Sequence, residues 1–438
     1  MFFMNVSFKT LGCKLNQAET AILAEAFRER GFNIVPWARD ADVSVLNTCT
    51  VTSRSEAKCR QAIRQALASN PQSVIAVVGC YSQVSAQAIA SIPGVDYIVG
   101  DSAKLSIPEL LEPMAKRQSP LILVSERRPE GPLDPARTSG LEGRTRAFLR
   151  IQTGCDRQCA YCIVPRARGP SRCLSEDDVL AHFGRLVSEG YREIVLTGVH
   201  VGDFRPKKGG PSGLPELLGR LSGLHPGVRI RLTSLDPENV DERLIRVMDE
   251  NPNICRHFHI ALQSGSDSVL KAMNRRHSVS SFEKIVRRIS GAFGLVGLGS
   301  DIITGFPGEG ERQFRDTVNL VEALPFTYLH VFPFSSRPGT AAAGMIDQVP
   351  VPIRLERARL LRELGHAKKD RFMRQWIGRD ASILFEKRAS GKWMTGLSPE
   401  YVRVEAPWDA GAINRPAVVR IETCHGAFCR GRVLSLNQ

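Results

Sequence analysis

The sequence predicts an α/β protein in three parts: an N-terminal parallel sheet, a central incomplete (β/α)6 barrel and a small all-β barrel at the C-terminus. Two observations lead to this prediction. Strand-like apolar runs alternate with amphipathic helical stretches over most of the 438 residues, and near Arg379 the alternation gives way to short strand-like runs separated by Gly and Pro. The chain length and its 42% hydrophobic content suffice for about two to four ordered domains.

Three strand-like runs in the first 100 residues each end at a cysteine. VSFKTLGC ends at Cys13, VSVLNTC at Cys49 and SVIAVVGC at Cys80, with helical stretches between them. This βαβ alternation predicts a parallel sheet, in which the carboxyl ends of all strands lie at one edge. We therefore expect the three cysteines to form one common site, the alternative being that each is a small buried hydrophobic residue.

A linker is predicted at 126–144, a segment rich in Pro, Gly and charged residues. Strand-like runs separated by helical stretches follow at 148–154, 193–199, 228–235, 258–265, 299–306 and 328–335. These six β/α units predict an incomplete barrel, in which chemistry collects at the C-terminal ends of the strands. The residues at those ends are Cys155, Gly198, Ser234, Gln263, Gly305 and Arg337.

The C-terminal part contains short alternating runs, ASILFEK, EYVRVEA, AVVRIET and RGRVLSL. They predict a small antiparallel barrel, a shape that often holds oligonucleotides. The predicted parts of the chain are therefore 1–125, the linker 126–144, the barrel 145–376 and the C-terminal barrel 377–438.

The charge of the chain suits a polyanionic partner, because the formal net charge is +14 and the pI is near 9.5. Between residues 144 and 172, seven arginines accompany a single acid, Asp156. A second basic run at 354–374 is equally compatible with a solvated helix face and with contact to a polyanion.

The cellular setting follows from what the sequence lacks. No apolar run approaches the roughly 18 residues that span a bilayer, and the first residues do not resemble a signal peptide. We expect a cytoplasmic protein with no membrane partner. In a reducing compartment, 11 cysteines suit metal or redox chemistry better than disulfides. Five are expected to be packing residues, with CHGAFC at 424–429 a weak metal candidate: Cys59, Cys173, Cys255, Cys424 and Cys429.

The stretch GCDRQCAYC contains Cys155, Cys159 and Cys162, with no fourth cysteine nearby. A [4Fe–4S] cluster held by three cysteines leaves one iron free to bind another molecule. The C-x3-C-x2-C spacing, with the aromatic Tyr161 before the last cysteine, resembles the radical S-adenosylmethionine (SAM) superfamily. In that superfamily the free iron binds SAM, and cleavage of the sulfonium by an electron yields a deoxyadenosyl radical. A structural zinc site or a chance pattern are the alternatives.

The resemblance extends over most of the chain. A second set of three cysteines on a flavodoxin-like domain, followed by this barrel and a small barrel called TRAM, is the architecture of the methylthiotransferases. Segments 262–273 (LQSGSDSVLKAM), 301–309 (DIITGFPGE) and 330–340 (HVFPFSSRPGT) and the GLSPEYVRV stretch resemble blocks of that family. The resemblance implies that Cys13, Cys49 and Cys80 hold an auxiliary [4Fe–4S] cluster, which carries the sulfur to be transferred.

The N-terminal motifs indicate a branch of this family. LGCKLNQAET at 11–20 and NTCTVTSRSEAKCRQAIR at 47–64 resemble the branch that acts on N6-threonylcarbamoyladenosine next to the anticodon of tRNA. The resemblance implies transfer of a methylthio group to C2 of that base. It implies the tRNA anticodon loop, an electron-donor protein and a sulfur donor as partners.

Other readings compete with this branch. Isopentenyladenosine in tRNA and an aspartate of a ribosomal protein are alternative acceptors within the family. An alternative of another class is a non-catalytic iron–sulfur protein that binds RNA and senses redox state.

Six residues are expected to contact SAM, from the resemblance and from their places in the barrel pattern. Each is equally compatible with a structural role in a turn or in the barrel. Asp236, in LTSLDPENV, stands where members of the family commonly have Glu. The six are Tyr161, Gly198, Ser234, Asp236, Gln263 and Arg337.

Overall fold

The computed structural model describes residues 4–37, 39–111, 115–125, 131, 133–135, 145–206, 213–388, 391–426 and 428–436. Within these ranges an N-terminal parallel sheet precedes an open arc of parallel strands and a closed barrel. None of the helices in these ranges is both long and apolar enough to cross a membrane.

The N-terminal part is a six-stranded parallel sheet with strand order β2-β1-β3-β4-β5-β6. Its strands are β1 (Asn5–Thr10), β2 (Asn33–Val35), β3 (Val43–Thr48), β4 (Val74–Gly79), β5 (Tyr97–Val99) and β6 (Leu121–Leu123). Its helices are α1 (Lys14–Glu29), α2 (Ser53–Ser69), α3 (Cys80–Val84), α4 (Ala86–Ala90) and α5 (Ile107–Leu110). β3 and β4 are buried throughout because apolar clusters cover both faces of the sheet. The predicted parallel sheet is confirmed.

The central part is an arc of parallel strands, six as predicted when the successive segments Arg229–Leu232 and Ser234–Leu235 are counted as one strand. Its strands, with a short hairpin of β8 and β9, are β7 (Arg146–Arg150), β8 (Gln152–Thr153), β9 (Arg172–Cys173), β10 (Glu193–Thr197), β11 (Arg229–Leu232), β12 (Ser234–Leu235), β13 (His257–Ile260), β14 (Gly297–Thr304) and β15 (Tyr328–Pro333). Its helices are α6 (Val164–Arg168), α7 (Glu176–Ser188), α8 (Leu214–Leu224), α9 (Glu242–Glu250), α10 (Asp267–Ala272), α11 (Val279–Phe293) and α12 (Glu311–Ala323).

The arc consists of two hydrogen-bonded sheets, β11-β10-β7 and β12-β13-β14-β15. They are continuous because β11 and β12 are successive segments separated by one residue, Thr233. The strand order leaves β7 and β15 as the two edges, so the barrel is incomplete. The helix α1 of the N-terminal part packs against β7, which brings the N-terminal part next to the open side of the arc.

The C-terminal part is a closed five-stranded barrel with strand order β16-β17-β18-β20-β19. It follows the long helix α13 (Val351–Arg374), and its strands are β16 (Asp380–Arg388), β17 (Trp393–Leu397), β18 (Arg403–Pro407), β19 (Pro416–His425) and β20 (Phe428–Leu436). The all-β barrel is confirmed, but the expectation of purely antiparallel pairing is wrong. β18 and β20 pair in parallel, because strand direction cannot alternate all the way around a closed barrel of five strands.

The C-terminal barrel docks on the arc through two buried arginines of β11. Arg231 pairs with Glu193, and it donates hydrogen bonds to the carbonyl oxygens of Ser398 (3.0 Å) and Pro399 (2.9 Å). Arg229 donates to the carbonyl of Leu397 at 3.0 Å. The loop between β17 and β18 is therefore anchored to the arc.

The predicted linker lies mostly outside the described residues, which include only Gly131 and 133–135 of it. Leu133 belongs to the hydrophobic core of the arc, and its N–H donates to the carbonyl of Cys173 at 2.9 Å. The described part of this segment therefore packs against the barrel.

The basic run at 354–374 forms α13, which packs against β15. Arg354 donates to the carbonyl of Phe334 at 3.1 Å, and Arg362 to that of Val331 at 2.8 Å. Exposed Arg359 pairs with two glutamates of its own helix. These three cations of the run are therefore bonded within the protein, and exposed Arg359 fits the predicted solvated helix face better than contact with a polyanion.

Cys424 and Cys429 are buried in the core of the C-terminal barrel, as expected of packing residues, but the sequence does not predict a bond between them. They are cross-strand partners in the β19–β20 hairpin, their Cα atoms lie 3.9 Å apart, and a disulfide joins them. The other three predicted packing residues, Cys59, Cys173 and Cys255, are free and buried.

Candidate active site

The loop that carries Cys155, Cys159 and Cys162 connects β8 and β9. It lies at the edge of the arc that is formed by the C-terminal ends of the strands. Gly154 precedes it with φ +71°, and a Cβ there would lie 1.8 Å from the carbonyl oxygen of Pro170. Only glycine allows this approach, because both the backbone angle and the space exclude a side chain.

The side chain of Gln152 joins this loop to the end of the next strand of the arc. Its Nε2 donates to the carbonyl of Gly154 at 2.8 Å. Its Oε1 accepts from the N–H groups of Val199 and His200, each at 2.9 Å. The cysteine loop is thereby held over the mouth of the barrel.

The thiols of this loop are shielded from water to different degrees. Burial raises the pKa of the Cys155 thiol to about 11 and that of Cys162 to about 12, because a thiolate there would lose its hydration. Arg275 donates to Cys159 Sγ at 3.6 Å. Three thiols on one short loop, next to a guanidinium, are a suitable donor set for an iron–sulfur cluster, whose binding would displace the thiol protons.

Cys13, Cys49 and Cys80 lie at the carboxyl edge of the N-terminal sheet, after the adjacent strands β1, β3 and β4. The thiol of Cys49 interacts electrostatically with Cys13, and that of Cys80 with Cys49. A Cβ at Gly12, whose φ is +117°, would lie 2.8 Å from Cys49 Cβ, so the loops approach closely. The sheet thus brings together a second set of three thiols, which also fits an iron–sulfur cluster.

A buried polar network joins α6, which follows Cys162, to the N-terminal set of cysteines. Arg168, at the end of α6, makes a bidentate ion pair with Glu19 of α1. Its Nη1 donates to Oε1 at 2.7 Å and its Nη2 to Oε2 at 3.0 Å. It also donates to Asn16 Oδ1 at 2.7 Å. Asn16 in turn accepts from the Cys13 thiol at 3.2 Å and donates to the carbonyl of Thr48, next to Cys49, at 3.0 Å.

The ionisation of this network is set by charge pairing. Burial alone would raise the pKa of Glu19, but the charges of Arg168 and Lys104 outweigh it and hold that pKa well below its usual range. Lys104 Nζ lies 2.6 Å from Glu19 Oε2. The network is therefore ionised at neutral pH and fixes the N-terminal part against the arc.

The predicted SAM contacts occupy different surroundings. Asp236 forms an ion pair with Arg275 at 2.6 Å and lies 3.4 Å from His200 Nε2. Burial opposes its ionisation, yet these neighbours hold its pKa below the usual range. Ser234 is exposed, and Gly198 lies so close to Gln152 that a Cβ would come within 2.7 Å of its Oε1.

A cavity of about 230 Å³ lies between Cys162 of the arc and the residues that follow Cys49 in the N-terminal part. Tyr161, Cys162 and Gln263 line it from the arc, and Val51 and Thr52, which follow Cys49, line it from the N-terminal part. Its volume is somewhat below the roughly 300–1,000 Å³ of typical ligand pockets.

Arg337 bonds to the N-terminal part. Its terminal nitrogens form an ion pair with Glu56 and hydrogen bonds to Thr50 (3.1 Å) and Ser53 (3.2 Å), while its Nε has no partner among the described residues. In this arrangement the guanidinium mainly joins the arc to the loop after Cys49.

Two buried hydroxyl groups at the rim of the arc have no hydrogen-bond partner among the described residues. They are those of Thr197, at the end of β10, and Thr233, between β11 and β12. Buried polar groups are nearly always bonded, so such groups at a strand end suit a polar ligand such as SAM.

The fold and the cysteine loop first define a class of protein, the radical SAM enzymes. Residues 149–321 match the model of the Radical SAM superfamily, and residues 5–100 match a model described as the uncharacterized protein family UPF0004. Solved structures agree at the level of the fold. The chain aligns with a radical SAM methyltransferase, TsrM from Kitasatospora setae, at a TM-score of 0.54 and 15% identity, covering 75% of this chain and 72% of that one.

Curated relatives identify the family. The threonylcarbamoyladenosine tRNA methylthiotransferase MtaB of Bacillus subtilis is 36% identical over 95% of this chain and 93% of its own length. That of Aquifex aeolicus is 34% identical over 87% and 92%. A tRNA-2-methylthio-N(6)-dimethylallyladenosine synthase of Maricaulis maris is 31% identical over 94% of each chain. The chain therefore belongs to the methylthiotransferase family of radical SAM enzymes, in the branch of the threonylcarbamoyladenosine tRNA methylthiotransferases.

Several residues of the site were not predicted from the sequence. Gln152, Arg168 and Arg275 belong to no recognisable motif, and their roles depend on partners far along the chain. The only available signal was proximity, since Gln152 and Arg168 flank the three-cysteine stretch within the arginine-rich segment.

Proposed function

We propose that this protein transfers a methylthio group to C2 of N6-threonylcarbamoyladenosine next to the anticodon of tRNA. One observation carries the proposal: the cavity is lined by Cys162 on one side and by Val51 and Thr52, which follow Cys49, on the other. A base in this cavity would lie within reach of both sets. The names and similarity of the curated relatives support this substrate.

The two sets of cysteines have separate roles in this proposal. Cys155, Cys159 and Cys162 would hold a [4Fe–4S] cluster whose free iron binds SAM, and Tyr161, Gly198, Ser234, Asp236, Gln263 and Arg337 remain the proposed SAM contacts. Cys13, Cys49 and Cys80 would hold the auxiliary cluster that carries the sulfur. The division of the chain into 1–125, a linker 126–144, 145–376 and 377–438 belongs to the same proposal.

The residues of this chain position the reactants. When bound, the clusters and SAM supply the radical chemistry that an unactivated C2–H bond requires. Gln152 and Gly154 hold the cysteine loop at the barrel mouth. Tyr161, which lines the cavity, packs edge-on against Phe306. Phe332, which is 41% exposed, offers the base an apolar surface at the cavity.

The partners follow from the same chemistry. The base must leave the anticodon-loop stack, which costs less in a loop than in a duplex. An electron-donor protein and a sulfur donor are required to renew the clusters. We propose that the enzyme acts in the cytoplasm, where tRNA is modified.

The test is mass spectrometry of nucleosides from total tRNA, in cells with and without this gene. We expect deletion to remove 2-methylthio-threonylcarbamoyladenosine and to raise its unthiolated precursor. If instead a methylthiolated isopentenyladenosine or a ribosomal aspartate changes, the substrate assignment is wrong. If no methylthio group changes and the purified, reduced protein forms no deoxyadenosine from SAM, the redox-sensor alternative is favoured.

A further inference from the structure

A polar cluster lies inside the arc, beside the cavity. His259, Asp301 and His330 come from the adjacent strands β13, β14 and β15. His259 Nε2 lies 3.0 Å and His330 Nδ1 3.3 Å from the same oxygen of Asp301. Asp301 also lines the cavity, and His330 is exposed. The proposed chemistry at the cysteines assigns no role to this cluster.

Lys14 enters the same interior from the N-terminal part. Its Nζ lies 6.0 Å from the ring centre of Tyr401, a residue of the anchored β17–β18 loop. It interacts electrostatically with Asp301, Glu193 and two arginines of the arc. These arginines, Arg146 and Arg231, are themselves paired with carboxylates.

The ammonium of Lys14 makes no hydrogen bond and no ion pair with the described residues of the protein, and the residue is only half-buried. A partly desolvated cation that has no hydrogen-bonding or ionic partner among the described residues is suited to an anionic group of a ligand. Its positive charge also disfavours a metal cation at the neighbouring His259–Asp301–His330 cluster.

The proposed substrate carries such an anionic group. The threonylcarbamoyl substituent on N6 contains a carboxylate, a hydroxyl and a ureido group, whereas an isopentenyl substituent is apolar and uncharged. C2 and N6 lie on the same edge of adenine, on either side of N1. Gln263 and Asp301 line the wall of the cavity that would hold the base.

We propose that Lys14 pairs with the carboxylate of the threonylcarbamoyl group, while Asp301 and His330 bond to its ureido and hydroxyl groups. This assignment rests on the proposed function and deepens it by naming the residues that read the substituent. An apolar substituent would leave the ammonium desolvated and without a partner, which makes Lys14 a determinant of specificity.

The experiment measures binding of two anticodon stem-loop RNAs to the cluster-loaded enzyme without reductant. One RNA carries threonylcarbamoyladenosine, and the other carries its methyl ester, which lacks the negative charge. We expect the wild-type enzyme to prefer the carboxylate by roughly tenfold or more, as for a hydrogen bond between charged groups. The measured quantity is the ratio of the affinity for the carboxylate RNA to the affinity for the ester RNA. Lys14→Met should bring this ratio close to one, Lys14→Arg should largely retain it, and Lys14→Glu should reverse the preference.

The ratio of the two affinities controls for a loss of iron in the variants. Lys14 neighbours Cys13, so a variant could bind less iron, but such a loss affects both RNAs equally and leaves the ratio interpretable. Lys284→Met, on the exposed side of α11, is the matched control and should keep the wild-type ratio.

Two failures can be told apart. If the wild-type enzyme methylthiolates threonylcarbamoyladenosine but Lys14→Met keeps the wild-type ratio, the assignment of Lys14 is wrong and the proposed function stands. If the wild-type enzyme neither discriminates between the RNAs nor methylthiolates this base, the proposed function itself fails.

Discussion

The two sets of three cysteines in this protein are built in opposite ways. Cys155, Cys159 and Cys162 lie on one loop, and their arrangement depends on local features such as Gly154 and Gln152. Cys13, Cys49 and Cys80 come from the ends of three neighbouring strands and meet only when the sheet forms. A local set is specified by spacing, whereas a distributed set is specified by topology.

The difference has a consequence for stability. The distributed set is connected to the arc through Asn16, Glu19 and Arg168, which are all buried. Changes far from any cysteine should therefore disturb the distributed set more readily than the local one.

The largest effect on activity is expected from two separate variants, each of which lacks one cysteine of one set. Cys159→Ala should abolish formation of deoxyadenosine and of product while iron remains at the N-terminal set. Cys49→Ala should abolish the methylthio product but leave deoxyadenosine formation. Iron content and chromatography of the products measure both.

Cys59→Ala is the control for this comparison. Cys59 is a buried thiol bonded to the carbonyl of Cys49 at 3.6 Å, and the proposed function gives it no role as a ligand. It should retain both products. If Cys49→Ala still forms the methylthio product, the role of the distributed set is wrong.

An intermediate effect is expected from Arg168→Met. It removes one partner of a fully buried ion pair, which typically costs about 3–5 kcal/mol, although Lys104 still faces Glu19 here. We expect a loss of about 3 kcal/mol in the free energy of unfolding by urea at neutral pH. Arg287→Met, which breaks an exposed pair with Glu283, should cost only about 0.3–0.5 kcal/mol.

The cost of Arg168→Met should depend on pH. The folded protein holds the pKa of Glu19 below its ordinary value of 4.5, so its ionised form stabilises the fold above pH 4.5. This contribution is lost as the pH falls below 4.5 toward the folded-state pKa. The difference between the wild-type protein and Arg168→Met should therefore shrink below pH 4.5, and a constant difference in acid titrations of stability would contradict the pairing.

The smallest effect is expected from Gly12→Ala, which tests the close approach of the loops in the distributed set. A side chain at φ +117° is strained and would press on Cys49, so we expect a cost of about 1–3 kcal/mol and reduced iron at this set. Gly31→Ala has a similar backbone angle, φ +81°, but no atom within 4 Å. It should keep full iron content, and equal iron loss in both variants would show that contact with Cys49 is irrelevant.

Local patterns predicted much of the fold. The alternation of apolar runs predicts both sets of parallel strands except β2, β5 and β6, which at three residues each are too short to show a pattern. β17 was missed because WMTGL lacks a clear polar–apolar alternation. The disulfide between Cys424 and Cys429 was missed because it depends on the register of a hairpin.

The candidate site was predictable in its cysteines but not in its charges. The spacing of Cys155, Cys159 and Cys162, and the places of the other three after apolar runs, are visible in the sequence. The ion pair of Arg168 with Glu19 joins residues 149 positions apart, and no periodic pattern in the sequence predicts it.

By itself, the sequence determined the three-part organisation of the chain, the alternation of its longer strands with helices and the six cysteines of the candidate site. Hydrophobic periodicity and residue spacing are local properties of the chain. Only the tertiary structure decided that Arg337 bonds to Glu56, that Asp236 is paired with Arg275, and that the ammonium of Lys14 enters the barrel. The physical reason is that the pairing and burial of a charge depend on which distant segments the fold places next to it.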